Sequence, residues 1–287
     1  MKIAALGDIH GNYQALITII DHVERWRPDL VLVLGDIINR GPRSRECLHL
    51  IQEKVQSPDW HLIKGNHEGY VLQFEDPEFP RSGVDFDFQK VIYWTYDSLS
   101  REDIQAVIDL PEEISLNLPG NQLVRGYHAS SAGNRIGIYP DTPDSDFRKL
   151  IDSKSNLFLV GHTHQPFVKT INSTTVINVG SIGLPFDGDT RPAYAQITLQ
   201  DQSWQGNILR VDYDREAAER DFFNTGFIPE GGPIAELVLA ELKLGWPQLS
   251  KIFQRHEYAV REGLLSLEDA ALEVLRNPNI EYLNSDL

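Results

Sequence analysis

Apolar and polar residues follow one another along this chain in two rhythms. Apolar runs of strand length, at Lys2–Leu6 and Leu30–Leu34, alternate with stretches of helical spacing. Between those two runs, Tyr13–Trp26 sets Leu16, Ile17, Ile19, Ile20 and Val23 at the repeat of one helical face. Arg43–Val55 predicts a second helix and His61–Ile63 a short third strand. Such a β-α-β-α-β run implies parallel strands with right-handed crossovers. Ligands of these sheets sit beyond the carboxyl ends of the strands, where GDIHGN (7–12), GDIINRGP (35–42) and GNHE (65–68) fall.

The rhythm lapses over residues 75–118, which read as an insertion. It opens as a loop around Pro77, Pro80 and Gly83; Ser100-Arg101-Glu102-Asp103 then marks a helix start, with Asp103 in the place usual for Glu or Gln. Strand character resumes at Gln122–Arg125, a helix is expected over Asp144–Ile151, and Leu157–Val160 is a buried strand leading into GHTH (161–164). From Phe167 to Asp212 the pattern is strand-rich, with strands at Tyr194–Leu199 and Ile208–Val211 and turns at Asn172-Ser173 and Gln205-Gly206. Helical spacing then returns at Pro233–Leu244, Gln248–Glu262 and Leu267–Leu275, broken at Gly245, Pro247 and Gly263. The expected organisation is one domain over 1–213 and a helical extension over 214–287. In that extension Ile234, Leu237, Val238 and Leu242 form an apolar stripe, suited to packing on the domain, to a homo-oligomer contact or to a lid.

Composition changes this picture little: 41% hydrophobic and 24% charged residues are ordinary for a globular protein. The apolar runs are far too short to span a membrane, and only four apolar residues precede Gly7 and Asp8, so neither a membrane span nor a signal peptide is expected. Cys47 is the sole cysteine, which excludes an internal disulfide and fits a reducing, cytoplasmic location. Charge does more. A net −16 repels nucleic acid phosphates, so duplex DNA or RNA is an unfavourable partner. A small phosphorylated substrate stays open, because two divalent ions would outweigh the carboxylates that bind them.

The candidate chemistry lies in the loops. Asp8 and His10 stand two apart and can reach one metal ion; Asp36 closes the second strand, where a carboxylate can bridge two ions. Asn66 offers an amide oxygen, and His128 in YHAS (127–130), His162 and His164 offer imidazole nitrogens. Mixed oxygen and nitrogen donors without thiolate suit manganese, placed first here, or iron(II), zinc, cobalt or nickel, and argue against calcium and magnesium. Two such ions can hold a bridging hydroxide for in-line attack on phosphorus. His67 is the natural general acid for the leaving oxygen, and Arg40 offers a planar fork to phosphate oxygens.

Taken in this order, the five motifs closely resemble those of the calcineurin-like metallophosphoesterase family, over roughly residues 2–212. The resemblance implies an α/β fold, a four-layer α-β-β-α sandwich of two mixed sheets, here with the C-terminal helical extension. It implies that Asp8, His10, Asp36 and His164 hold one ion, that Asp36, Asn66, His128 and His162 hold the other, and that His67 is the catalytic acid. GDIINRGP and GNHE look like the serine/threonine phosphatase and dinucleoside tetraphosphate hydrolase branch, where an Asp before the Arg usually orients the catalytic His. Here that position is Asn39, able to orient His67 through its amide oxygen but without charge. GHTH followed by NVGSIGLPFDGD (178–189) looks instead like the bacterial phosphodiesterase branch, and the whole second half agrees with it. The expected function is therefore hydrolysis of small phosphate esters, with the phosphatase branch and a non-catalytic scaffold as the alternatives.

Other residues have plainer readings. His22, His49, His61 and His256 match no motif and are expected on helix faces or strand ends. Cys47 is expected to pack in a helix, and Asp141, Asp144 and Asp146 to form a solvated loop and helix start. Asp187, Asp189 and Arg191 are expected either to border the substrate or to form a polar surface loop.

Overall fold

The structure is a computed structural model that describes residues 1–278. The chain begins as the spacing predicts, with β1 (Lys2–Leu6), α1 (Tyr13–Trp26), β2 (Leu30–Val33), α2 (Ser44–Lys54) and β3 (Trp60–Leu62). Next come α3 (Asn66–Leu72), α4 (Val84–Asp87), α5 (Lys90–Ser98), α6 (Arg101–Ile108), β4 (Glu113–Leu118), β5 (Gln122–Tyr127), α7 (Asp144–Leu150) and β6 (Leu157–Val160). The strand-rich stretch supplies β7 (Phe167–Ile171), β8 (Thr174–Asn178), β9 (Ala193–Gln200) and β10 (Ser203–Arg210). Five helices follow: α8 (Arg215–Asn224), α9 (Phe227–Leu244), α10 (Leu249–Arg255), α11 (Glu257–Arg261) and α12 (Leu267–Arg276).

Two mixed five-stranded sheets result, in the orders β10-β9-β1-β2-β3 and β4-β5-β6-β8-β7. The pleat sorts the side chains into layers, because successive residues of a strand point to opposite faces. Ile3, Ala5 and Leu32 face inward to meet Val124, Leu157, Leu159 and Ile177 of the second sheet. Ala4, Leu6, Val31 and Val33 face outward under Leu16, Ile19 and Ile20 of α1 and Leu48 and Ile51 of α2. On the other side Phe158, Val160 and Val176 pack under Phe147 of α7. This is the α-β-β-α sandwich. Ile17, the one member of the α1 set off this face, is 39% exposed.

Three boundaries differ from the sequence reading. Residues 113–118 are not insertion but an edge strand, paired antiparallel with β5; only Ile114 of β4 is fully buried, so its apolar signal is weak. The turn expected at Gln205-Gly206 lies instead at Asp201 and Gln202, both at positive φ, and Gly206 pairs with Ile197 in mid-strand. Gly206 is a packing glycine: a Cβ there would come within 2.4 Å of Ile177 Cδ1 from the facing sheet. In the extension, α9 starts six residues early and kinks at Gly232, and the helix predicted over Gln248–Glu262 divides in two at His256. The Ser100–Asp103 start is a capping box, with both reciprocal bonds made.

The stripe of Ile234, Leu237, Val238 and Leu242 is buried within the chain, against Phe222, Phe227, Ala270 and Val274 and against Phe88 and Val91 of the insertion. Residues 279–287 of the expected extension lie outside the described residues. No described helix is long and apolar enough to cross a membrane.

Candidate metal centre

The loops after β1, β2, β3, β5 and β6 meet where the parallel strands of both sheets end. The β1–β2 ladder carries on into them: Ile9 and His10 N–H both donate to Asp36 O, at 2.8 and 2.9 Å, and Gly11 N–H donates to Ile37 O at 3.0 Å. Asp8, His10, Asp36, Asn39, Arg40, His162 and His164 all sit at positive φ, between 47° and 71°. Left-handed backbone at residues with side chains costs about 1–3 kcal/mol each and persists only where the surroundings enforce it. Asn, Asp and His tolerate it better than most, which is one reason these types recur here. Two glycines permit the closest approaches. A Cβ on Gly161 would lie 2.4 Å from Asp8 Oδ2, and one on Gly65 would lie 2.1 Å from Asp36 Oδ1.

These loops bring all seven sequence-predicted ligands together. The donor atoms of Asp8, His10 and His164 fall within 4.8 Å of one another, as do those of Asp36, His128 and His162. Asp36 joins the two groups, with Oδ2 3.6 Å from His10 Nε2 and 3.3 Å from His128 Nε2. Asn66 Oδ1 completes the second group, 2.7 Å from His128 Nε2 and 2.9 Å from His162 Nδ1.

The donor set fits divalent cations. His128 Nδ1–H donates to Leu34 O at 2.8 Å and His164 Nδ1–H to Leu184 O at 2.5 Å, and each bond leaves the Nε2 lone pair aimed into the cluster. His128 Nε2 then meets Asn66 Oδ1 acceptor to acceptor unless a proton or a cation lies between them. His10 Nε2 approaches His164 Nε2 to 3.0 Å, while His10 Nδ1 is buried without a partner. Electrostatics agree. Burial raises the Asp36 carboxyl, but the charges of His128, His67 and His10 outweigh it and hold Asp36 well below the usual range. Burial lowers His128, yet the Asp36 charge and hydrogen bond, with Asp8 behind them, push it up to about 10. His162 is lowered to about 3, first by burial and then by the His128 charge. The cluster thus keeps positive charge beside Asp36, a charge that a bound cation would replace with release of a proton.

Glu68 escaped the sequence reading. It is fully buried, and its carboxylate accepts four backbone N–H bonds: from Gly65 at 2.7 Å, Asp36 at 2.9 Å, Ile37 at 2.7 Å and Ile38 at 3.2 Å. It therefore pins the β2 loop to the β3 loop and so sets Asp36 against Asn66. Burial, then the Asp36 charge, push its carboxyl up to about 7 against those bonds. The available signal was its position three residues into α3, where a carboxylate closes a capping box.

His67 lies nearer the cluster than a residue pointing away from metals: a donor atom of its ring is within 4.8 Å of donor atoms of His10 and Asp36. Its partner Asn39 is turned the opposite way from the sequence expectation. Asn39 Oδ1 accepts the Arg40 N–H at 2.7 Å, so the amide NH2 is what faces His67 Nδ1, also at 2.7 Å. His67 Nδ1 accepts, and the ring proton resides on Nε2. Burial holds this histidine well below the usual imidazole range, with Asp36 opposing and Arg40 adding to the depression. Arg40 is no free surface residue: Nη1 donates to Glu241 Oε2 of α9 at 3.0 Å.

Arg40, Asn39, His67, His162 and His164 line a cavity of about 840 Å³ that extends to the C-terminal helices. Asp187 pairs with Arg210 and Asp189 with Arg191, as a polar surface loop does. His22 bonds Tyr194 at 2.8 Å, His49 bonds Asp103 at 2.7 Å, and Cys47 is buried in α2. The end of β8 and the loop after it brace the site: Asn178 Nδ2 donates to Gly161 O at 2.8 Å, and Ser181 Oγ donates to Asp8 O at 2.7 Å.

A family model described as calcineurin-like phosphoesterase superfamily domain matches residues 1–202. An uncharacterized protein of Methanocaldococcus jannaschii is 27% identical over 237 residues, 75% of this chain and 89% of that protein. A metallophosphoesterase from Sphaerobacter thermophilus superposes with a TM-score of 0.65 at 25% identity, covering 85% of this chain and 100% of that one. A symmetrical bis(5'-nucleosyl)-tetraphosphatase of Dechloromonas aromatica is 32% identical over 94 residues, 32% of this chain and only 33% of that protein.

Proposed function

The chain belongs to the calcineurin-like phosphoesterase superfamily, and from that premise we propose that it hydrolyses small phosphate esters with two divalent metal ions. The observation that carries this reading is the pair of donor groups sharing Asp36. Asp8, His10, Asp36 and His164 would hold one ion; Asp36, Asn66, His128 and His162 would hold the other. When bound, the ions supply Lewis acidity toward phosphoryl oxygens and a nucleophile drawn from water at neutral pH. The chain's own residues do the rest. His67, with its proton on Nε2, donates to the leaving oxygen, and Asn39 fixes that tautomer. Arg40 faces the substrate cavity and is steadied by Glu241. Manganese is placed first for these mixed oxygen and nitrogen donors, with iron(II), zinc, nickel and cobalt as alternatives of the same class.

The NVGSIG sequence itself favours the bacterial phosphodiesterase branch, and its Asn178 and Ser181 brace the loops of the donor cluster. The 94-residue similarity to a dinucleoside tetraphosphatase supports the other branch. The test is turnover of bis(p-nitrophenyl) phosphate and p-nitrophenyl phosphate by metal-stripped protein, with manganese, nickel, cobalt, zinc or magnesium restored in turn. Metal-dependent cleavage with the diester ahead is expected. Monoester preference would favour the phosphatase branch, and silence with every metal in folded protein would favour a scaffold.

A further inference from the structure

The cavity does not end at the metal loops. Its far side is formed by α10, which brings to it a lysine that is almost wholly buried: Lys251 is 7% exposed. Its Nζ donates to the neutral Gln248 Oε1 at 2.9 Å, and it forms no ion pair with another described residue. Arg255, one helical turn on, lines the same cavity, as does Arg135, which lies 4.7 Å over the Tyr70 ring. Neither is ion-paired among the described residues. The acidic residues of the lining are already engaged: Glu241 with Arg40, Asp85 with Arg261, Asp36 in the donor cluster, and Asp141 with a partner of its own. Most other arginines and lysines on this chain, which carries 42 acidic residues against 26 basic ones, have a carboxylate beside them. The Glu241 carboxylate also favours the charged form of Lys251, but it is already bonded to Arg40 and to two backbone N–H groups. A buried ammonium held on an amide oxygen and facing Arg255 therefore keeps positive charge that an anion entering the cavity would neutralise.

The position is also built. Glu241 Oε1 accepts the N–H groups of Gln248 at 2.8 Å and Leu249 at 2.9 Å, while its Oε2 holds Arg40. One buried carboxylate thus seats the helix of Lys251 and the arginine beside the metal loops. We propose that α10 provides a second anion subsite, centred on Lys251 with Arg255, for a substrate that bears a further phosphate or carboxylate away from its scissile phosphorus. This rests on the reading of the donor cluster as the hydrolytic centre.

The experiment measures inhibition of bis(p-nitrophenyl) phosphate turnover by hexyl phosphate, by the butane-, hexane- and octanediol bisphosphates, and by the matching carboxyalkyl phosphates. At least one doubly anionic compound is expected to inhibit about tenfold more tightly than hexyl phosphate, and the better of the two series identifies the second group as phosphate or carboxylate. Lys251→Met, which suits a buried position, should bring that ratio to within about twofold, and Lys251→Arg should retain it. The ratio is the readout, so a general loss of fold or metal does not mimic the effect. Equal inhibition by single and double anions in the unaltered protein, or a ratio unchanged in Lys251→Met, would overturn the subsite. If the protein turns over no ester, the hydrolase reading fails, and calorimetric affinities for the same compounds decide the subsite separately.

Discussion

Asp36→Asn is expected to lose at least one of two bound metal ions and to cut turnover on the order of a thousandfold. The carboxylate is used on both sides. Oδ1 accepts the His67 N–H at 2.9 Å, which fixes its plane, and Oδ2 lies between His10 Nε2 and His128 Nε2. An amide of the same shape could keep the first bond, but it has no charge to offer two cations and would present an NH2 or a single neutral oxygen to them. The backbone should tolerate the exchange, because Asn shares the left-handed preference of Asp at φ 52°. Elemental analysis of the purified variant beside its turnover number checks both parts. Full occupancy of two sites in Asp36→Asn would refute the shared carboxylate.

His67→Ala should leave metal content intact and lower turnover by about 10²–10⁴-fold, most severely for esters with poor leaving groups. The structure adds a statement about pH. An imidazolium acid loses its proton as pH rises through its folded pKa, so its turnover would fall through the neutral range. Here burial depresses the His67 pKa and Asn39 donates to Nδ1, so the neutral Nε2–H ring is the acid. No such fall is therefore expected between about pH 6 and pH 8. Asn39→Asp would accept a proton from Nδ1, raise the His67 pKa and introduce that descending limb. A neutral-range fall already present in the unaltered protein would contradict the amide orientation.

The five motifs are legible in the sequence because each demands rare residue types at a strand end, and the fold brings the seven candidate ligand residues together. The layers were legible for a similar reason: β1, α1 and β6 run where their apolar spacing starts and stops. What stayed hidden depends on contacts between distant segments. Glu68 matters because it bonds backbone N–H groups on two loops some thirty residues apart. Asn39 faces His67 with its NH2 because Arg40 has taken the oxygen. Gly206 looked like a turn and is instead the hole for Ile177. An edge strand such as β4, half exposed and following Pro111, shows too little burial to stand out from an insertion. The stripe on α9 announced burial, and only the fold shows that its partners are the chain's own helices.

If two ions sharing Asp36 make this chain a phosphoesterase, titrating metal-stripped protein with manganese, while bound ions per chain and bis(p-nitrophenyl) phosphate turnover are followed together, should give two ions per chain and turnover that rises with the second. Full turnover at one ion, or turnover by protein holding none, would refute the two-ion centre.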